Sequence, residues 1–216
     1  KLFEKWTAKG RFKEGFFTEY SDRIVTLFDH DKDGVADEVK EFSGKYNQAL
    51  AGNGSSILMG PDNEMYYANI PAVYKITDKD GDGVGETKEE FISGFGFRNG
   101  VAGHDLHGLE WGVDGRLYFS NGDRGYEVTT KEGKVLRSND RGAVFRCEAD
   151  GSGLEEFTIG NRNPQDLGFD QYGNLFTVDN NRGGVDMSRV CYLVELGDYA
   201  WSSGHENKRT FNNLSI

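Results

Sequence analysis

The feature that most constrains this chain is a pattern that recurs about every 50 residues. Three segments, SSILMGPDNEMYYAN (55–69), HGLEWGVDGRLYFSN (107–121) and QDLGFDQYGNLFTVD (165–179), share one design. Each holds a short apolar run, a polar turn with Asp or Gly, and a second run carrying an aromatic residue, which is the signature of a β-hairpin. Met65, Leu117 and Leu175 fall at matching points, 52 and 58 residues apart. A second element also repeats. RIVTLFDHDKDGVADEVKEF (23–42) matches VYKITDKDGDGVGETKEEF (73–91) at an offset of 49, and VFRCEADGSGLEEF (144–157) is a shorter copy without the full acidic loop. Two hairpins per repeat give four strands per roughly 50 residues, the size of a propeller blade.

The fold class is therefore all-β, a β-propeller with metal-binding hairpin loops. Residues 23–42 supply the outer hairpin of one blade, and 54–94, 104–160 and 161–200 supply three more modules. These are about four blades, expected to form part of a six-bladed propeller, since closed propellers hold about four to eight. Residues 1–22 match no repeat, 23–200 carry the blades, and 201–216 read as a loop or the start of further blades. The chain opens on Lys1 and shows no signal-peptide apolar region, so a processed or truncated form is expected. Composition agrees with β structure: Gly is 30 of 216, aromatics are 13%, Pro is only 3, and capped runs with 3.6-residue periodicity are missing. No apolar run approaches the roughly 18 residues of a membrane span. A net charge of −11 without a basic stripe excludes nucleic acid as a partner. Cys147 and Cys191 form no CxxC motif. Placed on equivalent strands of neighbouring repeats, they are expected to lie beyond the roughly 7 Å that a disulfide allows, and to remain buried thiols.

Two acidic loops carry the clearest local chemistry. Asp78, Asp80, Asp82 and Glu86 occupy positions 1, 3, 5 and 9 of a D-x-D-x-D-G pattern, with Gly83 at 6, Val84 offering a carbonyl at 7 and Glu89 at 12. Asp29, Asp31, Asp33, Val35 and Asp37 repeat the arrangement around Gly34, with Lys40 at 12. Calcium wants six to eight oxygens, which alternate positions of a tight loop supply. Without a cation, three carboxylates in five residues repel one another. The flanks read as strands, so the expectation is calcium bound at hairpin tips in a structural role, in place of a helical EF-hand.

A second constellation begins at His104, followed by His107, Leu109, Gly112, Tyr118 and then Gly122-Asp123-Arg124-Gly125. If the segment is a hairpin, His104 and Asp123 meet at one mouth of the propeller, and an imidazole beside a carboxylate is a general base. The bland reading makes His107 a packed core residue and His104 a loop residue. The chain then reads Asn161-Arg162-Asn163-Pro164-Gln165, Asn180-Asn181-Arg182-Gly183-Gly184 and Gly197-Asp198-Tyr199-Ala200-Trp201.

These motifs resemble the soluble pyrroloquinoline-quinone (PQQ) glucose, aldose and sorbosone dehydrogenases over about residues 23–205. Together with the acidic hairpins, they look closest to a bacterial branch of planctomycetes and verrucomicrobia known as membrane-bound dehydrogenases. The resemblance implies a PQQ-type oxidoreductase acting on a sugar or alcohol hydroxyl, with His104 as general base and Asp123 orienting it. It also implies that Arg162, Asn163, Gln165, Asn181 and Arg182 face the quinone or its calcium, that the protein is periplasmic or extracellular, and that a c-type cytochrome accepts the electrons. Asn181 and Arg182 stand where the family carries Gly-Pro. The alternative is a non-catalytic, calcium-stabilised propeller scaffold that binds a glycan or protein. A calcium-dependent lactonase is disfavoured, because its set of Glu, Asn and Asp ligands from several blades does not assemble here.

Overall fold

The computed structural model describes residues 8–10, 15–16, 18–48, 51–96, 103–104, 106–181 and 187–202. Every element among them is a strand. The first sheet pairs β1 (Asp22–Phe28) with β2 (Glu38–Tyr46). The second is a four-stranded antiparallel meander of β3 (Ser56–Met59), β4 (Glu64–Asn69), β5 (Ala72–Thr77) and β6 (Thr87–Ser93). Next come β7 (Leu106–Trp111) and β8 (Leu117–Asn121), a small separate hairpin of β9 (Tyr126–Thr129) and β10 (Val135–Ser138), then β11 (Gly142–Cys147) and β12 (Glu155–Asn161). Of these, β7, β8, β11 and β12 form the third sheet. The fourth holds β13 (Pro164–Phe169), β14 (Leu175–Asp179) and β15 (Arg189–Leu193). A two-residue strand, β16 (Gly197–Asp198), returns to lie parallel to β12.

The three hairpins read from the sequence are β3–β4, β7–β8 and β13–β14, and the two acidic elements are β1–β2 and β5–β6. The β9–β10 hairpin interrupts the third repeat, which no sequence repeat announces.

The sheets follow one another face to face, with their first strands adjacent: β3 lies beside β7, and β7 beside β13. Polar side chains tie these inner strands together. The Ser55 hydroxyl bonds the Leu106 carbonyl, the Leu109 N–H donates to Ser56 Oγ at 3.2 Å, and Ser120 Oγ donates to the Pro164 carbonyl at 2.7 Å. The approach of β7 to β13 needs a glycine. Gly108 has φ +61°, and a Cβ there would stand 2.8 Å from the Leu167 nitrogen.

Three apolar seams lie between successive sheets. Ile24, Phe42 and Tyr46 pack on Tyr67, Tyr74 and Ile76. Tyr66, Ala68 and Val73 pack on Leu106, Phe119 and Phe145. Tyr118, Val144 and Phe157 pack on Leu167, Leu175, Cys191 and Leu193. Full burial of each large side chain contributes about 1.5–3 kcal/mol, so the seams are what hold one sheet to the next. Cys147 and Cys191 are both free and buried within these seams, as expected.

Register makes the repeats comparable residue by residue. Ala68 faces Val73, Ser120 faces Val144, and Val178 faces Val190. The first four of these are fully buried by the next sheet along, whereas Val178 is 50% and Val190 74% exposed. The same surface, used twice as a packing face, is open on the fourth sheet.

Candidate active site

In an antiparallel hairpin, the start of the first strand and the end of the second share one edge of the sheet. Leu106 faces Asn121, and Pro164 faces Asp179. His104 precedes β7 by two residues and Asp123 follows β8 by two, so the hairpin brings them together. His104 Nδ1 lies 2.7 Å from Asp123 Oδ1, with both side chains largely buried. Trp201 Nε1–H donates to the other oxygen, Oδ2, at 2.9 Å. The Asp123 N–H donates to the Arg162 carbonyl at 2.7 Å, linking this edge to the turn between β12 and β13.

That turn is organised by Asp179, at the end of β14 and 2% exposed. Its carboxylate accepts the N–H of Arg162 at 3.1 Å to each oxygen and the N–H of Asn163 at 2.7 Å. Arg189 donates to Asp179 Oδ2 from Nε at 3.3 Å and Nη2 at 2.9 Å, while its Nη1 holds the Tyr199 carbonyl at 3.1 Å. The Arg162 guanidinium carbon lies 5.5 Å from the centre of the Trp201 ring, a cation–π contact.

His104 and Asp123 therefore meet as the hairpin reading expected, and the Asp123 N–H ties them to the Arg162–Asn163 turn. Asn181 is half-buried, with its N–H on Ser188 Oγ at 3.2 Å. Gln165 is exposed on β13, beside a register shift of that strand. Arg182 lies outside the described residues. His107 is buried in β7, with Nε2 3.2 Å from the Gly103 carbonyl, the packed role anticipated for it. Two residues that organise the site carried no assigned role in the sequence reading: Asp179 and Trp201. A signal for Asp179 was present. The hairpins end YAN, FSN and TVD, and Asn69, Asn121 and Asp179 are register equivalents, all buried.

Arg162 Nε and Nη1, Asn163 Oδ1 and Asn180 Oδ1 are buried without a hydrogen-bond partner among the described residues. Each such atom costs about 1–3 kcal/mol, a debt that a bound polar group removes. A planar guanidinium suits a flat, carboxylated quinone, and amide oxygens suit its donors or a cation. The residues present fit PQQ.

The acidic loops lie at the other edge. Asp78 N–H bonds the carbonyl of Asn63, in the β3–β4 turn, opposite the edge where β4 ends at Asn69. In the second loop, Asp78, Asp80, Asp82 and Glu86 each bring a carboxylate oxygen within 4.8 Å of the others. Opposite ligands of a calcium ion at 2.3–2.6 Å stand about 4.6–5.2 Å apart, so the spacing fits. Backbone N–H groups fix the carboxylates: Gly81 and Gly83 bond Asp78, Asp82 bonds Asp80, Val84 bonds Asp82, and Lys79 bonds Glu86. Gly83, at φ +85°, makes the turn.

In the first loop, Asp29, Asp31 and Asp37 cluster, and the His30 N–H holds Asp37 as the Lys79 N–H holds Glu86. Asp33 stands outside that group and accepts the Val35 N–H. Val35 is exposed and Val84 half-buried, each just past its turn glycine. Glu89 also stands outside its group, on β6 opposite Lys75. The chain leaves this loop as a strand, and three residues at about 3.3 Å each carry Glu89 away, where a helix would fold position 12 back. Lys40, on β2, reaches across to the Asp82 carbonyl at 2.6 Å and joins the two loops.

Two solved structures share the arrangement of sheets. One is a provisionally assigned oxidoreductase (glucose dehydrogenase) from Thermus thermophilus, at 18% identity and TM-score 0.52, covering 76% of this chain and 56% of that one. The other is the PQQ-bound form of aldose sugar dehydrogenase from Streptomyces coelicolor, at 16% identity and TM-score 0.56, covering 85% and 58%. The likeness is one of fold, that of β-propeller sugar dehydrogenases, and this chain spans little more than half the length of either. No curated protein matches the sequence. A family model described as a domain of unknown function, DUF7133, matches residues 7–212, and the chain belongs to that family.

Proposed function

We propose that this chain carries the catalytic half-site of a PQQ-type dehydrogenase that oxidises a sugar or alcohol hydroxyl. The observation that carries the reading is the His104–Asp123 pair at 2.7 Å, set beside Arg162, whose Nε and Nη1 have no partner among the described residues. Asp123, accepting from Nδ1–H, leaves the lone pair on His104 Nε2 to take the hydroxyl proton. Arg162 and Asn163, fixed through their own N–H groups by Asp179, hold and orient the cofactor. Bound PQQ supplies the acceptor for the hydride. Gln165, Asn181 and Arg182 complete the cofactor side in this reading.

The acidic loops bind calcium structurally, in keeping with a periplasmic or extracellular protein, and a c-type cytochrome takes the electrons. The assignment to the planctomycete and verrucomicrobial branch rests on the sequence motifs. The test is calorimetric titration of the full-length protein with PQQ in millimolar calcium, followed by dye reduction with a panel of aldoses and alcohols. Binding at micromolar PQQ and turnover lost in His104→Gln are expected. Failure to bind at that concentration leaves the non-catalytic scaffold as the surviving function.

A further inference from the structure

We propose that Trp201 is a positioning residue for the His104 base, its indole N–H holding one oxygen of Asp123 so that the other stays on the imidazole. The inference rests on the dehydrogenase reading and adds to it a residue from a different part of the chain. A carboxylate bound at one oxygen swivels about its Cβ–Cγ bond. Asp123 is bound at both: Oδ1 faces His104 Nδ1 at 2.7 Å and Oδ2 accepts from Trp201 Nε1 at 2.9 Å. Its main chain is pinned as well, through the bond from its N–H to the Arg162 carbonyl.

Trp201 is itself fixed by backbone. The Leu196, Tyr199 and Trp201 N–H groups donate to the carbonyls of Phe157, Ile159 and Gly160. This run extends the parallel pairing of β16 with β12. The short β16 has little packing value of its own, and its placement delivers the indole to Asp123. The same ring lies 5.5 Å from the Arg162 guanidinium carbon. One side chain thus touches the partner of the base and a residue of the cofactor side, and sets the distance between them.

Removing the indole N–H leaves Asp123 held at one oxygen only, so the carboxylate can swivel and its hold on the imidazole Nδ1–H loosens.

The test is Trp201→Phe in the full-length protein, which keeps a ring under Arg162 and deletes the N–H. The His104 Nδ1–H resonance is followed by NMR in calcium-loaded protein without quinone, so the readout does not need turnover. Exchange of that proton with water about tenfold faster in the variant is expected. PQQ affinity should stay within about twofold, and kcat should fall about tenfold, as loss of the outer partners of functional histidines does. An unchanged Nδ1–H resonance and exchange rate overturn the role of Trp201. Absence of PQQ binding in the unsubstituted protein overturns the dehydrogenase reading and leaves the NMR result standing. If Trp201→Phe does not fold, benzothienylalanine at position 201 exchanges the N–H for sulfur in nearly the same shape, and the same NMR measurement decides.

Discussion

Asp179→Asn is the sharpest probe of how this site is built. The wild-type carboxylate is 2% exposed and accepts from Arg162 N, Asn163 N and two nitrogens of Arg189. All four partners are donors. An amide in either orientation turns an NH2 toward some of them and leaves Arg189 without its counter-charge. Removing one partner of a buried ion pair costs about 3–5 kcal/mol. Arg189 keeps about a third of its side chain in solvent, so the lower end applies, about 3 kcal/mol. In a domain of this size 1 kcal/mol moves Tm by about 2–4 °C, so a fall of about 6–12 °C is expected. Thermal unfolding followed by circular dichroism measures it. Arg189→Gln alone should cost less, because Asp179 retains two backbone donors, and the double variant should cost less than the sum. A drop below about 2 °C for Asp179→Asn would refute the claim that this carboxylate organises the Arg162–Asn163 turn.

Calcium should stabilise the protein: each occupied loop should add about 2.7 kcal/mol at one hundred times its dissociation constant, read as a higher Tm in calcium than in EGTA, and an Asp78→Asn, Asp80→Asn double variant should lose the share of the second loop. Glu110 on β7 has its carboxyl pushed above the ordinary range by burial and by the Asp166 carboxylate. Its ionisation therefore opposes folding, a cost absent below the usual carboxylate pKa and incurred as pH rises through the raised one. Glu110→Gln should raise Tm at about pH 7 and leave it unchanged near pH 4. Burial pushes the Cys147 thiol up to about 12 and the Cys191 thiol upward, so neither should react with a thiol reagent at about pH 8 until the protein is unfolded, when both should. Gly108→Ala should destabilise by several kcal/mol, measured as a fall in the urea midpoint, because its Cβ would meet the backbone of β13.

Most of the fold was legible because it is repetitive. Apolar runs of four to seven residues punctuated by Asp-Gly turns specify hairpins locally, and their recurrence specifies a row of similar sheets. The β9–β10 insertion was hidden because its strands are four residues each and belong to no repeat. At the site, the His104–Asp123 pair was readable because both residues belong to one hairpin, where spacing alone sets proximity. Trp201 was not, since it reaches Asp123 only through the pairing of β16 with β12, 78 residues away in sequence. The acidic loops were readable for the same local reason as the hairpin pair. Glu89 stands apart from its cluster because position 12 of a helix-flanked template lies elsewhere when the loop leaves as a strand.

The two acidic loops and the His104 edge answer to different demands, and the meander keeps them apart. A connection after the third strand of a sheet emerges at the edge where the first strand ends, while His104 and Arg162 stand where first strands begin. The bond from Asp78 to Asn63 fixes the second loop at the β3–β4 turn, and the six residues of β4 put about 20 Å between that turn and the Asn69 edge. A cation in either loop is therefore too far to touch a group bound by Arg162. What it reaches is the seam between the first two sheets: Thr26 donates to the Gly83 carbonyl at 2.8 Å, Lys40 bonds the Asp82 carbonyl, and the Gly85 N–H bonds the Phe42 carbonyl. These contacts all run from β1–β2 to the 78–86 loop. Calcium there would fix the shape of one sheet's tip and, through it, the docking of the neighbouring sheet, while the proposed chemistry at the opposite edge would depend on Asp179, Arg189 and Trp201.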